Sequence, residues 1–388
     1  MMSKNFDVLI GGDGVVGRTL ALQLAQARLR VALVGQAPRS PGVPDAPDVR
    51  AYALNVASRR QLLALRAWPD AEFATPVQTM RVWGDDGGHM AFEAADLKTK
   101  SATDPGADAL AWIVDVQALQ TRLADAIRFQ PQIECIDEAT LAQQPVKAPL
   151  KVICEGQYSD TRAGLPVHHT IKPYAQRAVA ARLASTLPHN GSARQWFVNG
   201  DILALLPLAG PRGHELALVW SVATERAAEL EALPPEAFCT ALQAVCGDQV
   251  GNLHLTSERA SWPLSLSTAA RWVGPGWALA GDAAHTIHPM AGQGLNLGLA
   301  DAACLADVLA GREYWRGLGD ERLLRRYERA RKADVTAMGN VTDGLNALFT
   351  PQNGAIDAPL QALRNWGMNG FALSGPLKQW VTRRAAGL

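Results

Sequence analysis

Short apolar runs and helically spaced apolar residues take turns at both ends of the chain, whereas the middle alternates with the shorter period of strands. Phe6 to Ile10 is an apolar run, Arg18 to Ala27 is helix-forming, and Arg30 to Val34 is a second run, so the opening predicts a β-α-β unit. Ile113 to Ile127 returns to helical spacing, with Val116, Leu119 and Leu123 on one face, and Lys151 to Ile153 reads as a strand. Trp277 to Ala280 is again of strand length. Pro289 forbids a helix through the loop that follows, and Leu295, Leu299, Ala302 and Ala303 then mark the buried stripe of a helix. Between these parts, Thr79 to Trp83 and Met90 to Phe92 flank Asp85-Asp86-Gly87-Gly88, a hairpin signal outside any β-α-β pattern. The segments RAVAARLAST, RQWFV, ILALLPL and ELALVWSV, with a turn at Asn199-Gly200, continue an inserted antiparallel sheet whose Trp196, Phe197 and Trp220 read as core aromatics. Glu321 to Ala337 is helical. Its Arg322, Arg325, Arg326, Arg329 and Arg331 have the look of a solvated face.

Composition narrows the classes. A chain of 388 residues can hold two domains, and 37 basic against 37 acidic residues leave no field to draw nucleic acid or an anionic membrane. Cys135, Cys154, Cys239, Cys246 and Cys304 form no CxxC pair, and their odd number fits buried cytosolic thiols better than a disulfide framework. The N-terminus enters a strand without a signal segment, and no apolar run reaches the roughly 18 residues of a membrane span. The expectation is a cytoplasmic enzyme.

The chemistry gathers at two glycine-rich turns. Gly12-x-Gly14-x-x-Gly17 follows the first strand and opens the first helix, the placement a dinucleotide fingerprint requires: Gly12 for the tight turn, Gly14 for approach of a pyrophosphate, Gly17 for packing of helix on strand. The acid expected at the end of the second strand is missing. Gly35 and Gln36 stand there; Gln36 can accept one hydrogen bond, and NADP specificity is the second reading, with Arg39 the nearest arginine. In WALAGDAAHTIHPMAGQGLNLGLAD, Gly281 lets the chain turn, Asp282 falls at the carboxyl end of a strand, and Gly292, Gly294 and Gly298 lead into a helix whose N-terminal N–H groups suit an anionic ring or phosphate. Arg50, in DVRAYALN, is placed to meet a flavin or pyrophosphate, or is a capping or surface arginine. His285 and His288 are three apart with no third ligand, and His168-His169 lies elsewhere, so no metal is expected.

With GGDGVVG, DVRAYALNVASRR, CEGQYSDTR, PYAQRAVAARL, RQWFVNGDILALLPL and GDAAHTIHPMAGQGLNLGLAD in this order over nearly the full length, the chain resembles the flavin-dependent aromatic-ring hydroxylases of the p-hydroxybenzoate hydroxylase type, in their ubiquinone-biosynthesis branch. The resemblance implies an α/β protein: a glutathione-reductase-like FAD-binding Rossmann domain with an inserted antiparallel β-sheet substrate domain and C-terminal helices. The expected division is FAD-binding over 1–75, 106–172 and 265–345, substrate sheet over 76–105 and 173–264, and a C-terminal helical segment over 346–388. It implies cofactor contacts from Gly12, Gly14, Val16, Gly17, Gln36, Arg50, Gly281, Asp282 on the ribityl chain, Gly294, Leu295 and Asn296, with the Pro289 region over the flavin ring. Three departures stand out: Gly35 in place of the family's ribose-binding Glu, Glu155 in place of Asp, and a short Phe129 to Leu150 segment that lacks room for an edge hairpin. Gly35→Glu is expected to tighten FAD, provided Gly35 is not at positive φ.

The activity so implied is hydroxylation of a prenylated phenolic ring through a flavin C4a-hydroperoxide, with FAD as cofactor, NAD(P)H as electron donor and O2 as oxygen source. Ring hydroxylation needs an electrophilic oxygen that side chains cannot supply. His288 is the candidate general base, or else orients its loop. No second GxGxxG exists, so the reductant docks transiently. A flavin halogenase or reductase is the next alternative, and the W-x-W-x-I-P halogenase signature is absent. A catalytically silent subunit that binds lipid or scaffolds a ubiquinone-synthesis complex is the alternative of another class. A lipid phenol brings the enzyme to the bilayer: Leu360, Trp366, Phe371 and Trp380 interleave with Arg364, Lys378, Arg383 and Arg384, which suits peripheral membrane or complex association, while helices packed on the FAD domain are the plain reading. Oligomeric state is not legible.

Overall fold

The computed structural model describes residues 5–35, 48–84, 88–97, 109–144, 146–288 and 292–349, side chains included through 339. Val8–Gly11 lies between Val31–Gly35 and Leu150–Ile153, parallel to both, with Ile10 opposite Leu33 and Val152. Ile133–Asp137 extends this sheet on one side and Trp277–Leu279 on the other, and Val273–Gly274 closes it antiparallel, six strands among the described residues. The central strands read as unbroken apolar runs because both of their faces are covered. Val8, Ile10, Val31 and Val152 enter the main core with Leu20, Leu24, Leu119 and Leu299, while Leu9 and Ala32 face a smaller cluster with Ile136 and Leu141. The short Phe129 to Leu150 segment supplies the parallel edge strand and one small helix, Glu138–Gln143.

The sequence expectation of helix from Ile113 is corrected. Ile113 and Val114 belong to strand Ala111–Asp115, which pairs antiparallel with Ala51–Leu54 and Ala74–Val77 in a three-stranded sheet. Both residues are β-branched and almost wholly buried there, an outcome that packing against two neighbours favours over an isolated helical turn. Helix Val116–Arg128 starts only after Asp115, whose Oδ1 accepts from Ala118 N at 2.9 Å as its cap.

The large sheet runs, by neighbours, His285–Thr286, Ala260–Ala269, His169–Ser185, Glu215–Ala223, Asp201–Pro207, Ser192–Val198, Thr79–Trp83 and His89–Glu93, with Leu253–Leu255 beside the end of the third. Thr79–Trp83 pairs parallel with Ser192–Val198, and the other pairs are antiparallel. Asn199 and Gly200, at φ 54° and 86°, form the tight turn of one hairpin. Its two faces differ in role. Trp196, Leu203, Leu218 and Trp220 pack under helices Thr224–Ala232 and Pro235–Cys246 with Phe238 and Leu242, so these tryptophans are core. The row Gln195, Ala204, Val219, Ala180, aligned across four strands, turns the other way, toward the cavity described next.

The last helix, Glu321–Phe349, carries a second correction. Arg331 is buried at 7 % exposure and does not share the solvated face of Arg322, Arg325, Arg326 and Arg329. It falls in the stripe of Leu324, Tyr327 and Val335, and a charge so placed requires a partner.

Candidate active site

The first strand ends at Gly11, and Gly12 turns the chain at φ 101° while its N–H donates to Val34 O at 2.8 Å. A Cβ on Gly12 would overlap the Cys154 carbonyl, and one on Gly17 would overlap the Gly12 carbonyl, so both glycines are required by close approach of backbone to backbone. Gly14 differs: a Cβ there would meet nothing within 4 Å. Its bare backbone faces the cavity at the head of helix Val15–Gln26, which has neither a side-chain cap nor an acid in its first turn. The leading N–H groups of such a helix are unsatisfied and carry partial positive charge.

The second turn faces the first. Trp277–Leu279 runs into Gly281 at φ 61° and Asp282, and helix Gly294–Ala310 begins beyond them, again without a side-chain cap or a leading acid. Val16, Asp282, Gly294 and Leu295 line the same cavity. Gly281 and Gly298 do not line it; both are pressed against Val16, where a Cβ on Gly298 would stand 2.7 Å from Val16 Cγ2. Asp282 is accessible from the cavity side yet crowded by protein, and that burial pushes its carboxyl above the usual range, with His285 and Arg50 pulling the other way and Asp301 adding to the rise.

Behind the turn lies a set of ionic contacts. Asp301 is fully buried; its Oδ2 accepts from His285 Nε2 at 2.6 Å and Gly281 N at 3.0 Å, and its Oδ1 from Arg331 Nε at 2.8 Å. Burial raises the Asp301 pKa, but His285 and Arg331 outweigh it and hold the carboxyl below its ordinary value. Trp272 stacks on His285 at 4.8 Å, and Arg162 donates from Nη1 to Ala283 O at 3.0 Å. Sequence reading passed over Asp301 and Arg162 and placed Arg331 on the solvated face of its helix rather than in the site. The signal available was Arg331, whose place in the apolar stripe of its helix contradicts a solvated role.

Arg50 lines the cavity, with its guanidinium held by Asp48 at 2.9 Å (Nε to Oδ1) and 2.6 Å (Nη2 to Oδ2) and its charge felt by Asp282. Asn296 is not on the cavity wall: its Oδ1 accepts from Asn55 N at 3.0 Å and Ser58 Oγ at 2.8 Å, and its Nδ2 donates to Ala53 O at 2.8 Å. The side chain thus ties helix Gly294–Ala310 to the DVRAYALN segment, and any cofactor contact at this position is left to its backbone. Glu155 lines the cavity and accepts from Ser159 Oγ at 2.6 Å and Thr161 Oγ1 at 2.7 Å. His288 is wholly buried and is not brought to the cavity. Its Nε2 is 3.1 Å from Gln176 Oε1 and its ring meets Tyr174 edge-on at 4.9 Å; both partners sit where the register of strand His169–Ser185 slips between Pro173 and Arg177. Gln36 and Pro289 lie outside the described residues. Among the described residues no group of His, Cys, Asp and Glu is arranged to hold a metal ion, and no helix is long and apolar enough to cross a membrane.

The cavity is about 860 Å³ and reaches from Gly12 and Gly14 to the sheet row of Gln195, Ala204 and Val219. Two uncapped helix N-termini and bare glycine backbone at one end fit the phosphates and ring of a dinucleotide, and the apolar wall at the other fits a hydrophobic ligand. The comparisons agree with a flavin site. The model of the FAD binding domain family matches residues 113–342, more than half of the chain. Ubiquinone hydroxylase UbiL of Rhodospirillum rubrum is 31% identical over 402 residues, covering 99% of this chain and 90% of that protein. The 3-demethoxyubiquinol 3-hydroxylase of Escherichia coli is 30% identical over 409 residues and covers both chains completely. Among solved structures, PqsL of Pseudomonas aeruginosa, described as a probable FAD-dependent monooxygenase, superposes with a TM-score of 0.69 at 23% identity over 95% of this chain and 100% of its own, a likeness of fold. The chain belongs to the flavin-dependent aromatic-ring hydroxylases, FAD-dependent monooxygenases, in their ubiquinone-biosynthesis branch.

Proposed function

We propose that the protein hydroxylates the aromatic ring of a prenylated phenolic intermediate of ubiquinone biosynthesis, with FAD in the cavity, NAD(P)H as electron donor and O2 as oxygen source. The observation that carries this reading is the single cavity that joins a bare-backbone dinucleotide end to an apolar sheet wall. Gly12 and Gly14 would take the pyrophosphate, Asp282 would accept from ribityl hydroxyls, and the head of helix Gly294–Ala310 would face the electron-rich end of the ring. Bound and reduced there, FAD would activate O2 to the electrophilic oxygen that no side chain can provide.

The chain's own part is to bind, orient and keep water away. Ala180, Ala204 and Val219 leave an apolar slot for the ring and the start of its tail, while Gln195, Ser221 and Thr286 offer polar atoms for the phenol. His288, held by Gln176 and Tyr174, is a positioning residue in this scheme: it anchors the segment that sets Thr286 and Ile287 on the cavity wall. Peripheral membrane or complex association is proposed for the segment from Ala355 to Leu388, which lies outside the described residues, on its interleaved aromatic and basic side chains.

The test is turnover of a short-prenyl phenol by FAD-reconstituted protein with NADH or NADPH under isotopically labelled O2. One labelled oxygen in the ring product is expected. Reductant consumed with all label in hydrogen peroxide or water overturns the reading.

A further inference from the structure

Strand Val31–Gly35 ends without the acid that usually receives the adenosine ribose at this point of a dinucleotide fold. We propose that Asp13, inside the fingerprint turn, supplies that carboxylate in place of position 35, an assignment that rests on FAD occupying the cavity as argued above.

The geometry couples the two positions. Gly11 pairs with Val34 across the parallel strands and Gly12 N donates to Val34 O at 2.8 Å, which sets residue 35 directly beside the turn. A Cβ built on Gly35 would stand 2.7 Å from Asp13 Cβ and closer still to the Asp13 carboxyl carbon and Oδ2. A side chain at 35 and the present Asp13 therefore exclude each other: the Asp13 carboxylate occupies the volume from which an acid at 35 would start. Asp13 and Gly35 both line the cavity, as do Gly12 and Gly14.

Charge supports the same assignment. An acid next to a pyrophosphate would repel it unless turned aside and partly neutralised. Asp13 is turned toward the second strand, and Arg18 Nη2 approaches its Oδ2 at 3.4 Å while Arg18 Nη1 is tied to Gln120 O at 2.9 Å. This long contact is the one hydrogen bond of the carboxylate among the described residues, and its side chain is 41% exposed, so acceptor capacity remains for the vicinal hydroxyls of a ribose. The other acids at this end are less suited. Asp137 caps helix Glu138–Gln143 through Thr140, and Glu138 lines the cavity one strand further out, after Ile133–Asp137.

Equilibrium FAD binding by the full chain, followed by flavin fluorescence, tests this with D13N, E138Q, G35E and the double variant D13G/G35E. The second ligand is an FAD whose adenosine ribose lacks the 2′-hydroxyl. Loss of a hydrogen bond to a charged acceptor is expected to weaken FAD roughly tenfold or more in D13N, with E138Q close to wild type. The deoxy analogue should bind the wild type about tenfold more weakly than FAD, yet D13N should not distinguish the two. G35E alone should weaken binding, and D13G/G35E, with the acid moved to its usual place, should recover most of the affinity. Unchanged affinity in D13N, equal discrimination against the analogue by D13N and wild type, tighter binding by G35E alone, a double variant no better than D13N, or a loss confined to E138Q overturns the assignment. A wild-type chain that binds neither ligand overturns the cofactor reading itself, a distinct failure.

Discussion

Asp282 and Gly35 show how single positions acquire meaning from what surrounds them. If Asp282 accepts from the ribityl chain, Asp282→Ala removes a charge-assisted hydrogen bond of about 1.5–3 kcal/mol, and FAD affinity falls tenfold or more; equal affinity in a fluorescence titration of the variant refutes the contact. Burial also raises the Asp282 pKa in the free protein. A raised folded pKa means that its contribution to stability is present below the unfolded value and is lost as pH rises through the folded value. Asp282→Asn should therefore raise the melting temperature of the FAD-free protein at about pH 8, and that gain should shrink as pH falls and vanish only below about pH 3, where aspartate is protonated in either state. At Gly35 the structure weighs against a sequence expectation: a Cβ placed there would stand 2.7 Å from Asp13 Cβ, so a Glu at 35 alone is expected to weaken rather than tighten the site, as the titration of G35E checks.

At the scale of elements, the two helices whose heads face the cavity are set by their contact with each other. Gly298 of Gly294–Ala310 rests on Val16 of Val15–Gln26, and Gly281 closes on the same side chain. A methyl group at 298 meets a stiff β-branched residue on a helix, which cannot swing aside as a flexible side chain would. Gly298→Ala should cost about 1–3 kcal/mol of stability by overpacking. Val16→Ala in the same chain should restore most of the melting temperature, whereas a double variant as unstable as the single one would place the strain elsewhere. The glycines of the GQGLNLG stretch thus divide between bare backbone on the cavity at Gly294 and helix packing at Gly298, a distinction their spacing does not announce.

Across the whole molecule, the cavity exists because the inserted sheet turns one face to the helices above it and the other to the nucleotide turns. The row Ala180, Val219, Ala204 and Gln195 draws on four strands, and its two alanines leave the open space. Ala204→Phe should fill that space without touching the glycine end. FAD content and affinity are expected to stay within about threefold of wild type, while KM for the phenol rises or turnover is lost. Loss of FAD together with turnover would show that the two ends of the cavity are not separable.

Sequence by itself determined what is local or periodic: the β-α-β opening, the fingerprint glycines, the hairpin and four further strands of the inserted sheet with their Asn199-Gly200 turn, and the Gly281-Asp282 elbow, while strand Ala260–Ala269 of the same sheet was not read from it. These signals survive because each depends on neighbours within one element or one turn. Tertiary structure decided what depends on partners far along the chain. Ile113 and Val114 became strand because two distant segments pair with them; Arg331 was drawn inward by Asp301, thirty residues earlier; His288 was withdrawn from the cavity by Gln176 at a slipped register. The absent acid at 35 was plain in the sequence, yet the reason it can be absent was not. Asp13 precedes it by a full strand and helix, and only the parallel register of Val8–Gly11 on Val31–Gly35 brings its carboxylate into the vacant volume.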